Sequence, residues 1–294
     1  MNILLQYPFP LSQDNINSKI KEFNDKVNDL FTIDNLKLAF SLIDLTTLNA
    51  TDTVNKGKIF ADKVNGFHAQ YPNIPNVGAI CVYPPLVKTV KDNLSDENVG
   101  VASVGAGFPS SQTFIDVKIL ECKKAVEHGA TDIDIVISLG TWLAGDYQTV
   151  FEEIKAIKEA IGSAHLKVIL ETGALVSSED IWNASIIAMQ AGADFIKTST
   201  GKMQPAATPE AVYIMCEAIK AFCGNTGKKI AIKPAGGMVE SNDALLYVAI
   251  IKSVLGNEWL NNKMFRLGAS RLANNLVRDI VKLETGKEIE VSYF

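Results

Sequence analysis

The sequence contains few cysteines and histidines, and their spacing excludes several kinds of site. Its four cysteines form no Cys-x-x-Cys pair, so a reduced protein of the cytoplasm is favoured over a disulfide framework. They are Cys81, Cys122, Cys216 and Cys223. The three histidines are His68, His128 and His165. None lies at metal-ligand spacing from another, so we expect no zinc or iron centre.

The sequence also lacks a positive charge excess and a long apolar run. A net charge of −5 without a basic stripe argues against a nucleic-acid partner. No apolar run approaches the ~18 residues that a membrane-spanning helix requires, so we expect no membrane partner. Residues 1–10 carry no basic stretch ahead of their apolar residues, which is unlike a secretory signal. A cytoplasmic location is therefore predicted.

Strand-like and helix-like segments alternate eight times along the chain. Predicted strands cover 38–48, 77–83, 99–104, 131–138, 166–172, 193–202, 229–235 and 265–269. Strict alternation predicts a parallel sheet covered by helices, and eight units over ~250 residues predict an α/β fold, a (β/α)8 TIM barrel. The alternative is an open doubly wound sheet, but no dinucleotide-type glycine turn follows the first strand.

Three regions follow from this pattern. Residues 1–35 predict an N-terminal helical extension, because apolar residues recur there at helical spacing, and residues 36–285 predict the catalytic barrel. Residues 286–294 form a C-terminal tail without a helical signal. Within the barrel, the helix near residues 112–128 is predicted to bury Phe114, Val117, Leu120 and Val126.

A lysine interrupts the sixth predicted strand. Phe195 and Ile196 before it are apolar, and Thr198 and Thr200 after it are β-branched, which favours a strand. Burial of Lys197 would disfavour its charged form and leave a neutral, nucleophilic amine. The alternative is a lysine at a strand end whose ammonium reaches solvent.

Charged residues on other strands are predicted to meet Lys197 inside the barrel. Lys233 lies on the seventh strand, and neighbouring strands are about 4.8 Å apart, so the two ammonium groups disfavour each other's protonation. Asp134 on the fourth strand faces the same interior and can carry a proton. Asp44 and Thr46 on the first strand complete the ring.

Lys167 and Glu171 on the fifth strand share one face and are predicted to form a supporting ion pair. Either residue alone could be structural. Several charged strand positions converging on one cavity nevertheless favour catalysis, because a buried charge costs several kcal/mol unless it is paired.

Glycine-containing turns predict an anion site beside these charges. Gly201 and Lys202 follow the sixth strand, Gly236 and Gly237 follow the seventh, and Ser270 opens the last helix. Glycines allow backbone N–H groups to approach a ligand, and helix N-termini favour negative charge. Barrels often bind phosphate on the loops after strands seven and eight. The alternative is that these glycines only form tight turns.

These motifs together resemble the deoxyribose-phosphate aldolase family of class I aldolases, over roughly residues 42–276. The resemblance rests on LTTLN at 45–49, ICVYP at 80–84, IDIV at 133–136, KVILETG at 167–173, FIKTSTGK at 195–202, KPAGG at 233–237 and RLGAS at 266–270. It implies reversible cleavage of 2-deoxy-D-ribose 5-phosphate to acetaldehyde and D-glyceraldehyde 3-phosphate, without metal or other cofactor. The resemblance also suggests a homodimer, with the N-terminal segment as a candidate contact.

The resemblance implies roles for individual residues. Lys197 would form the Schiff base, and Asp134 and Lys233 would relay protons. The implied substrate-binding residues are Asp44, Thr46, Cys81, Lys167 and Thr198. The implied phosphate-binding residues are Gly201, Lys202, Gly236, Gly237 and Ser270.

The chain departs from the family pattern at three places, one of which is Gly107 in the loop after the third strand, where relatives often have a polar residue. Arg271 stands where relatives often have a second hydroxyl, and it could contact phosphate or face solvent. Some members end in a tyrosine that reaches the active site, whereas here Tyr293 is penultimate and Phe294 is last.

Two other functions compete with this interpretation. A transaldolase-like Schiff-base barrel would not explain lysines on strands six and seven together with an aspartate on strand four. A phosphosugar-binding barrel without chemistry would be expected to lack Lys197, Asp134 or Lys233, and all three are present.

Overall fold

The structure is a computed structural model that describes residues 3–294. Met1 and Asn2, which belong to the predicted extension, lie outside the described residues. Among residues 3–294, no helix is both long enough and apolar enough to span a membrane.

Eight parallel strands form the centre of the molecule in the order β7-β6-β5-β4-β3-β2-β1-β8. Their bounds are β1 Ile43–Thr46, β2 Ala79–Val82, β3 Gly100–Gly105, β4 Asp132–Val136, β5 His165–Ile169, β6 Phe195–Lys197, β7 Ala231–Lys233 and β8 Leu267–Ala269. Parallel bridges from Ile232 to Phe265 and from Ala235 to Gly268 close the ring between β7 and β8. The fold is therefore a (β/α)8 TIM barrel, as the alternation predicts.

Helices surround this barrel and connect its strands. Their bounds are α1 Gln13–Lys26, α2 Ile33–Ser41, α3 Val54–Gln70, α4 Val87–Asn93, α5 Ile115–Glu127, α6 Leu139–Leu143, α7 Tyr147–Ile161, α8 Ser178–Gln190, α9 Pro209–Thr226, α10 Ser241–Leu255 and α11 Arg271–Thr285. Short 3-10 turns cover Leu4–Gln6, Val27–Leu30, Pro84–Leu86, Thr172–Ala174 and Asn257–Trp259. Of the α-helices, α2 and α6 were not predicted from the sequence.

The N-terminal region contains two helices where the sequence analysis predicts one. Thr32 caps α2, because its side chain accepts a hydrogen bond from the Asn35 N–H. Leu36, Ala39 and Phe40 are buried on one side of α2. This apolar run continues into β1, so the predicted strand 38–48 began too early. The preceding helix, α1, packs on α9 and α10 within the same chain.

The buried face of α5 also differs from the prediction. Phe114, Val117 and Leu120 are exposed, whereas Lys118 and Cys122 are buried. Lys118 can be buried because its ammonium bonds to the hydroxyl of Ser138 (2.7 Å) and to the carboxylate of Glu153 (2.9 Å). These partners lie on other elements, so helical periodicity alone could not identify them.

The C-terminal tail returns to the barrel and packs on α3. The Tyr293 hydroxyl donates a hydrogen bond to the Lys63 carbonyl at 2.6 Å. Its ring contacts Phe67 edge-on, with centroids 5.4 Å apart, and the side chain of Asn274 accepts hydrogen bonds from the Tyr293 and Phe294 N–H groups. The tail is thus fixed on the outside of the barrel in this structure.

We predict that Tyr293→Phe lowers the free energy of unfolding by about 1 kcal/mol, because one half-buried hydrogen bond is lost while the ring still packs. Urea denaturation followed by circular dichroism measures the change. Tyr71→Phe is the matched control, since the Tyr71 hydroxyl bonds only to exposed Gln70 among the described residues. Equal stability of Tyr293→Phe and the parent would contradict the prediction.

Candidate active site

The barrel interior contains a cluster of buried charges next to small side chains. Asp44, Asp134, Lys167 and Lys233 are fully buried, and Lys197 is 4% exposed. Space for the long lysine side chains is available because β2 and β3 contribute small inward residues. These are Ala79, Cys81, Ala102 and Val104. The outward residues of the same strands pack under the helices in the main core.

One carboxylate oxygen lies between two lysines. The β6–β7 register pairs Lys197 with Lys233. Both ammonium groups lie 2.7 Å from Asp134 Oδ2. The other oxygen, Asp134 Oδ1, is buried and has no hydrogen-bond partner within residues 3–294. Lys167 Nζ lies 3.7 Å from this oxygen, so Asp134 retains one acceptor without a hydrogen bond beside the lysine pair.

A second group of charges lies deeper in the barrel. Lys233 also contacts Asp44 Oδ2 at 2.5 Å, and Arg266 contacts Asp44 Oδ1 at 2.6 Å. Lys167 lies 2.8 Å from Asp132 Oδ1 and 3.3 Å from Asp44 Oδ2. Each of these cations has at least one close carboxylate partner that Lys197 does not share.

The charges of this cluster balance only if one amine is neutral. Three carboxylates, on Asp44, Asp132 and Asp134, face four cationic side chains. These are Lys167, Lys197, Lys233 and Arg266. Burial lowers the pKa of Lys197 below its ordinary value and Lys233 lowers it further, against the opposing effect of Asp134. Lys197 is thus the amine that gives up its proton most readily.

The other groups of the cluster stay charged. Burial would lower the pKa of Lys233, but Asp134 and Asp44 raise it well above its ordinary value. Burial would raise the pKa of Asp134, but Lys197, Lys233 and Lys167 lower it to about 2. The pKa of Asp44 is also held well below its ordinary value by Lys167, Lys233 and Arg266.

A cavity of about 340 Å³ opens above Lys197 at the carboxyl ends of the strands. All its charged lining residues in the described part of the chain are basic: Lys197, Lys202 and Arg271. The five predicted phosphate-binding residues line it together with Thr46. They are Gly201, Lys202, Gly236, Gly237 and Ser270. A cavity with this charge suits an anionic ligand.

Glycines shape the wall of this cavity. Gly201 and Gly236 have φ values of 76° and 78°, which side-chain-bearing residues rarely adopt. A Cβ on Gly236 would lie 3.2 Å from the Gly201 Cα and 2.9 Å from the Ala206 Cβ. The loops after β6 and β7 therefore approach closely. Lys202 reaches back across the opening, and its ammonium donates to the Leu48 carbonyl at 2.5 Å.

The remaining predicted site residues lie around the cavity without lining it. Cys81 is fully buried, and burial raises its pKa to about 11, so its thiol stays protonated at neutral pH. Lys167 and Asp44 belong to the deeper charges. The hydroxyl of Thr198 accepts from the Ala235 N–H at 3.0 Å and so fixes the end of β7. Tyr293 lies on α3, away from the cavity lining.

The predicted Lys167–Glu171 ion pair is wrong. Lys167 contacts Asp132, Asp44 and Asp134 instead. The Glu171 carboxylate accepts hydrogen bonds from Thr200. Alternation placed both side chains on one face, but the backbone at Glu171 is left-handed, with φ 53° and ψ 59°, which breaks the alternation.

Sequence reasoning also missed Arg266 and Asp132 as members of the cluster. Arg266 directly precedes β8, and only its guanidinium reaches Asp44. Asp132 begins β4 two residues before Asp134 and faces the same interior. The sequence contained one usable signal. Residues two positions apart on a strand face the same side, and a charged side chain that faces the barrel interior requires a buried partner.

A second cavity, of about 520 Å³, lies between the loops after β3 and β4. Its lining includes Lys118, Ser138 and Glu153, and these three groups bond to one another. The Lys118 ammonium is therefore paired with the Glu153 carboxylate. The smaller cavity above Lys197 is therefore the better candidate for chemistry.

The chain is similar to known aldolases over most of its length. A family model described as DeoC/LacD family aldolase matches residues 38–255. Deoxyribose-phosphate aldolase of Homo sapiens is 41% identical over 264 residues, covering 85% of this chain and 81% of that protein. The Bos taurus protein of the same name is 40% identical over 264 residues, with the same coverage.

A solved structure shares the fold. The tetrameric deoxyribose phosphate aldolase from Aeropyrum pernix matches 94% of this chain and 100% of its own, with a TM-score of 0.67 and 21% identity. At that identity the match supports the barrel architecture alone.

We predict that Arg266→Met raises the pKa of Lys197 by about one unit, because loss of one cation lets the lysine keep its proton to higher pH. The measurement is the pH dependence of Lys197 labelling by trinitrobenzenesulfonate, which reacts with neutral amines. In the parent, the midpoint should lie below the ordinary value of 10.5.

Arg266→Lys is the control for this prediction, since it keeps a cation beside Asp44 and should stay close to the parent. Circular dichroism checks that each variant is folded. A midpoint that does not rise in Arg266→Met would show that the charge balance does not control Lys197.

Proposed function

Because the chain belongs to the DeoC/LacD aldolase family, we propose that Lys197 is the amine that forms a Schiff base with the substrate aldehyde. The protein is a class I aldolase that reversibly cleaves 2-deoxy-D-ribose 5-phosphate to acetaldehyde and D-glyceraldehyde 3-phosphate. One observation supports the assignment of Lys197 above others. It is the lysine of the buried cluster that lines the cavity, and its pKa is lowered.

The first step uses the neutral amine. Lys197 attacks the aldehyde carbon to give a carbinolamine, which loses water to give an imine. The protonated imine withdraws electrons, so the bond between the second and third carbons of the sugar breaks. The enamine that remains is protonated and hydrolysed to acetaldehyde. In the synthetic direction the same enamine attacks the second aldehyde.

Asp134 is the group proposed to move protons. Its Oδ2 holds both lysines, and its free Oδ1 can accept a proton from a carbinolamine or from the sugar hydroxyl, directly or through water. Lys233 is fully buried and lies 2.7 Å from Asp134, so its part in the relay runs through that carboxylate. Its charge also disfavours protonation of Lys197.

The phosphate of the substrate is proposed to bind at the other end of the cavity. Lys202 and Arg271 supply positive charge, and Gly237 supplies a backbone N–H group. The Gly236 N–H donates to the Gly268 carbonyl at 3.1 Å, so Gly236 contributes to the phosphate site by shaping the turn. Ser270 caps α11 without a hydrogen bond from its own side chain, so its hydroxyl is free for a ligand at the helix N-terminus. Binding energy from this distant group positions the aldehyde at Lys197.

Substrate-binding roles for the surrounding residues are part of this proposal. Thr46 lines the cavity, and its hydroxyl donates to the Asp44 carbonyl at 2.7 Å, which leaves lone pairs to accept from a sugar hydroxyl. Four buried residues do not line the cavity and are proposed to support the residues that do: Asp44, Lys167, Cys81 and Thr198.

We also propose that the protein acts as a homodimer in the cytoplasm. Its four cysteines are free thiols, which supports a reducing environment. The N-terminal helix buries Ile16 and Phe23 against its own chain, so a dimer contact would use another face of that segment or another surface. Sedimentation equilibrium measures the oligomeric state.

Incubation with acetaldehyde followed by borohydride reduction is expected to leave one ethyl group on Lys197, located by peptide mass spectrometry. Lys197→Met should form no such adduct and should lose cleavage activity by about a thousandfold or more, with unchanged circular dichroism. Lys220→Met, at an exposed position of α9, should still form the adduct on Lys197 and keep its cleavage activity. An adduct on another lysine, or turnover in Lys197→Met, would refute the assignment.

A further inference from the structure

A buried glutamate at the end of β5 has no role in the mechanism above. Glu171 is 3% exposed, and its backbone has φ 53° and ψ 59°. This left-handed conformation is strained for a residue with a Cβ. Within residues 3–294, no lysine, arginine or histidine nitrogen lies within 4 Å of its carboxylate. A strained, buried carboxylate without a cation needs a compensating function.

Its two oxygens both bond to one residue of the loop after β6. Glu171 Oε1 accepts from the Thr200 N–H at 3.2 Å, and Oε2 accepts from the Thr200 hydroxyl at 2.6 Å. The same hydroxyl oxygen accepts the Lys202 N–H at 3.0 Å. Glu171 is thus linked through Thr200 to the turn that lines the cavity.

The chemistry of a carboxylate fixes the direction of this chain of hydrogen bonds. The Thr200 hydroxyl donates its hydrogen to Glu171 Oε2, and the Thr200 N–H donates to Oε1, so both carboxylate oxygens accept. The lone pairs of the Thr200 hydroxyl are then available to the Lys202 N–H. The orientation of the turn from Thr200 to Lys202 therefore depends on two acceptor oxygens at position 171.

The same loop is held from a second side. A Cβ on Gly173 would lie 2.1 Å from the Pro205 carbonyl oxygen, so the loop after β6 rests directly on the backbone that follows Glu171. Thr200, Gly201 and Lys202 all line the cavity above Lys197. The position of this cavity wall is set by the segment from Glu171 to Gly173.

We propose that Glu171 is a positioning residue that holds the Thr200–Lys202 turn for the substrate phosphate and so selects phosphorylated over unphosphorylated 2-deoxyribose. The inference rests on the proposed function, because it assumes that phosphate binds at this end of the cavity. Glu171 itself does not touch the substrate. It acts through Thr200, so its effect is on binding of the phosphate rather than on the chemistry at Lys197.

The test compares kcat/KM for 2-deoxyribose 5-phosphate with kcat/KM for 2-deoxyribose. Glu171→Gln keeps the size of the side chain but removes one acceptor, and it should lower the ratio of the two values about fivefold, mainly through the KM of the phosphorylated sugar. The inhibition constant of inorganic phosphate, measured with 2-deoxyribose as substrate, should rise by a similar factor. Glu179→Gln, at an exposed position of α8, is the matched control and should change neither value.

A double-mutant cycle tests whether Glu171 acts through Thr200. Thr200→Val removes the hydroxyl and should lower the ratio at least as far as Glu171→Gln, whereas Thr200→Ser should restore most of it. If the two residues act as one unit, the double variant loses no more than the larger single loss. Independent, multiplicative losses would overturn the proposal.

Other outcomes separate this inference from the proposed function. Failure of the parent to form an acetaldehyde adduct on Lys197 would refute the proposed function. A normal adduct combined with an unchanged substrate ratio in Glu171→Gln would refute only the role of Glu171. Equal losses on both sugars would likewise show that Glu171 is merely structural. If Glu171→Gln unfolds below the assay temperature, the substrate ratios of Thr200→Val and Thr200→Ser decide the question instead.

Discussion

The site depends on a single carboxylate oxygen shared by two lysines. Lys197 and Lys233 both lie 2.7 Å from Asp134 Oδ2, a position in which two full positive charges repel strongly in a buried environment. Lys233 has Asp44 as a second partner, and Lys197 has none among the described residues. The proton is therefore lost more easily from Lys197. The strand register creates this asymmetry, because it places the lysines side by side.

The charges deeper in the barrel maintain this difference between Lys197 and Lys233. Arg266 holds Asp44 ionised, and Asp44 in turn keeps Lys233 protonated. Buried charges of this kind are stable only when each has a partner, and here every carboxylate of the cluster contacts at least one cation. The apolar residues on the outward faces of the strands supply the packing that shields the cluster from solvent on the side of the helices.

Much of this arrangement could be predicted from the sequence, because alternation along a strand fixes which side chains face inward. The eightfold succession of strands and helices predicted the barrel, and alternation along each strand placed Lys197, Lys233 and Asp134 in one interior. Alternation failed at Glu171, where a left-handed residue reverses the side-chain direction. Helical periodicity likewise failed on α5, where Lys118 is buried through contacts with Ser138 and Glu153. Such partners are set by tertiary packing, which a single periodic pattern does not contain.

The segment from Lys197 to Lys202 connects the proposed reactive amine to the basic end of the cavity, and neighbouring residues fix the geometry of the segment. The Thr198 hydroxyl ties it to the loop after β7, and Thr200 ties it to Glu171 after β5. These hydrogen bonds hold the segment on both sides. In the proposed mechanism, they keep the Lys197 amine in position for an aldehyde whose phosphate is bound at the basic end of the cavity. In that mechanism, the reaction at the aldehyde and the recognition of phosphate take place at opposite ends of one short segment, which the Thr198 and Thr200 hydroxyls fix in place.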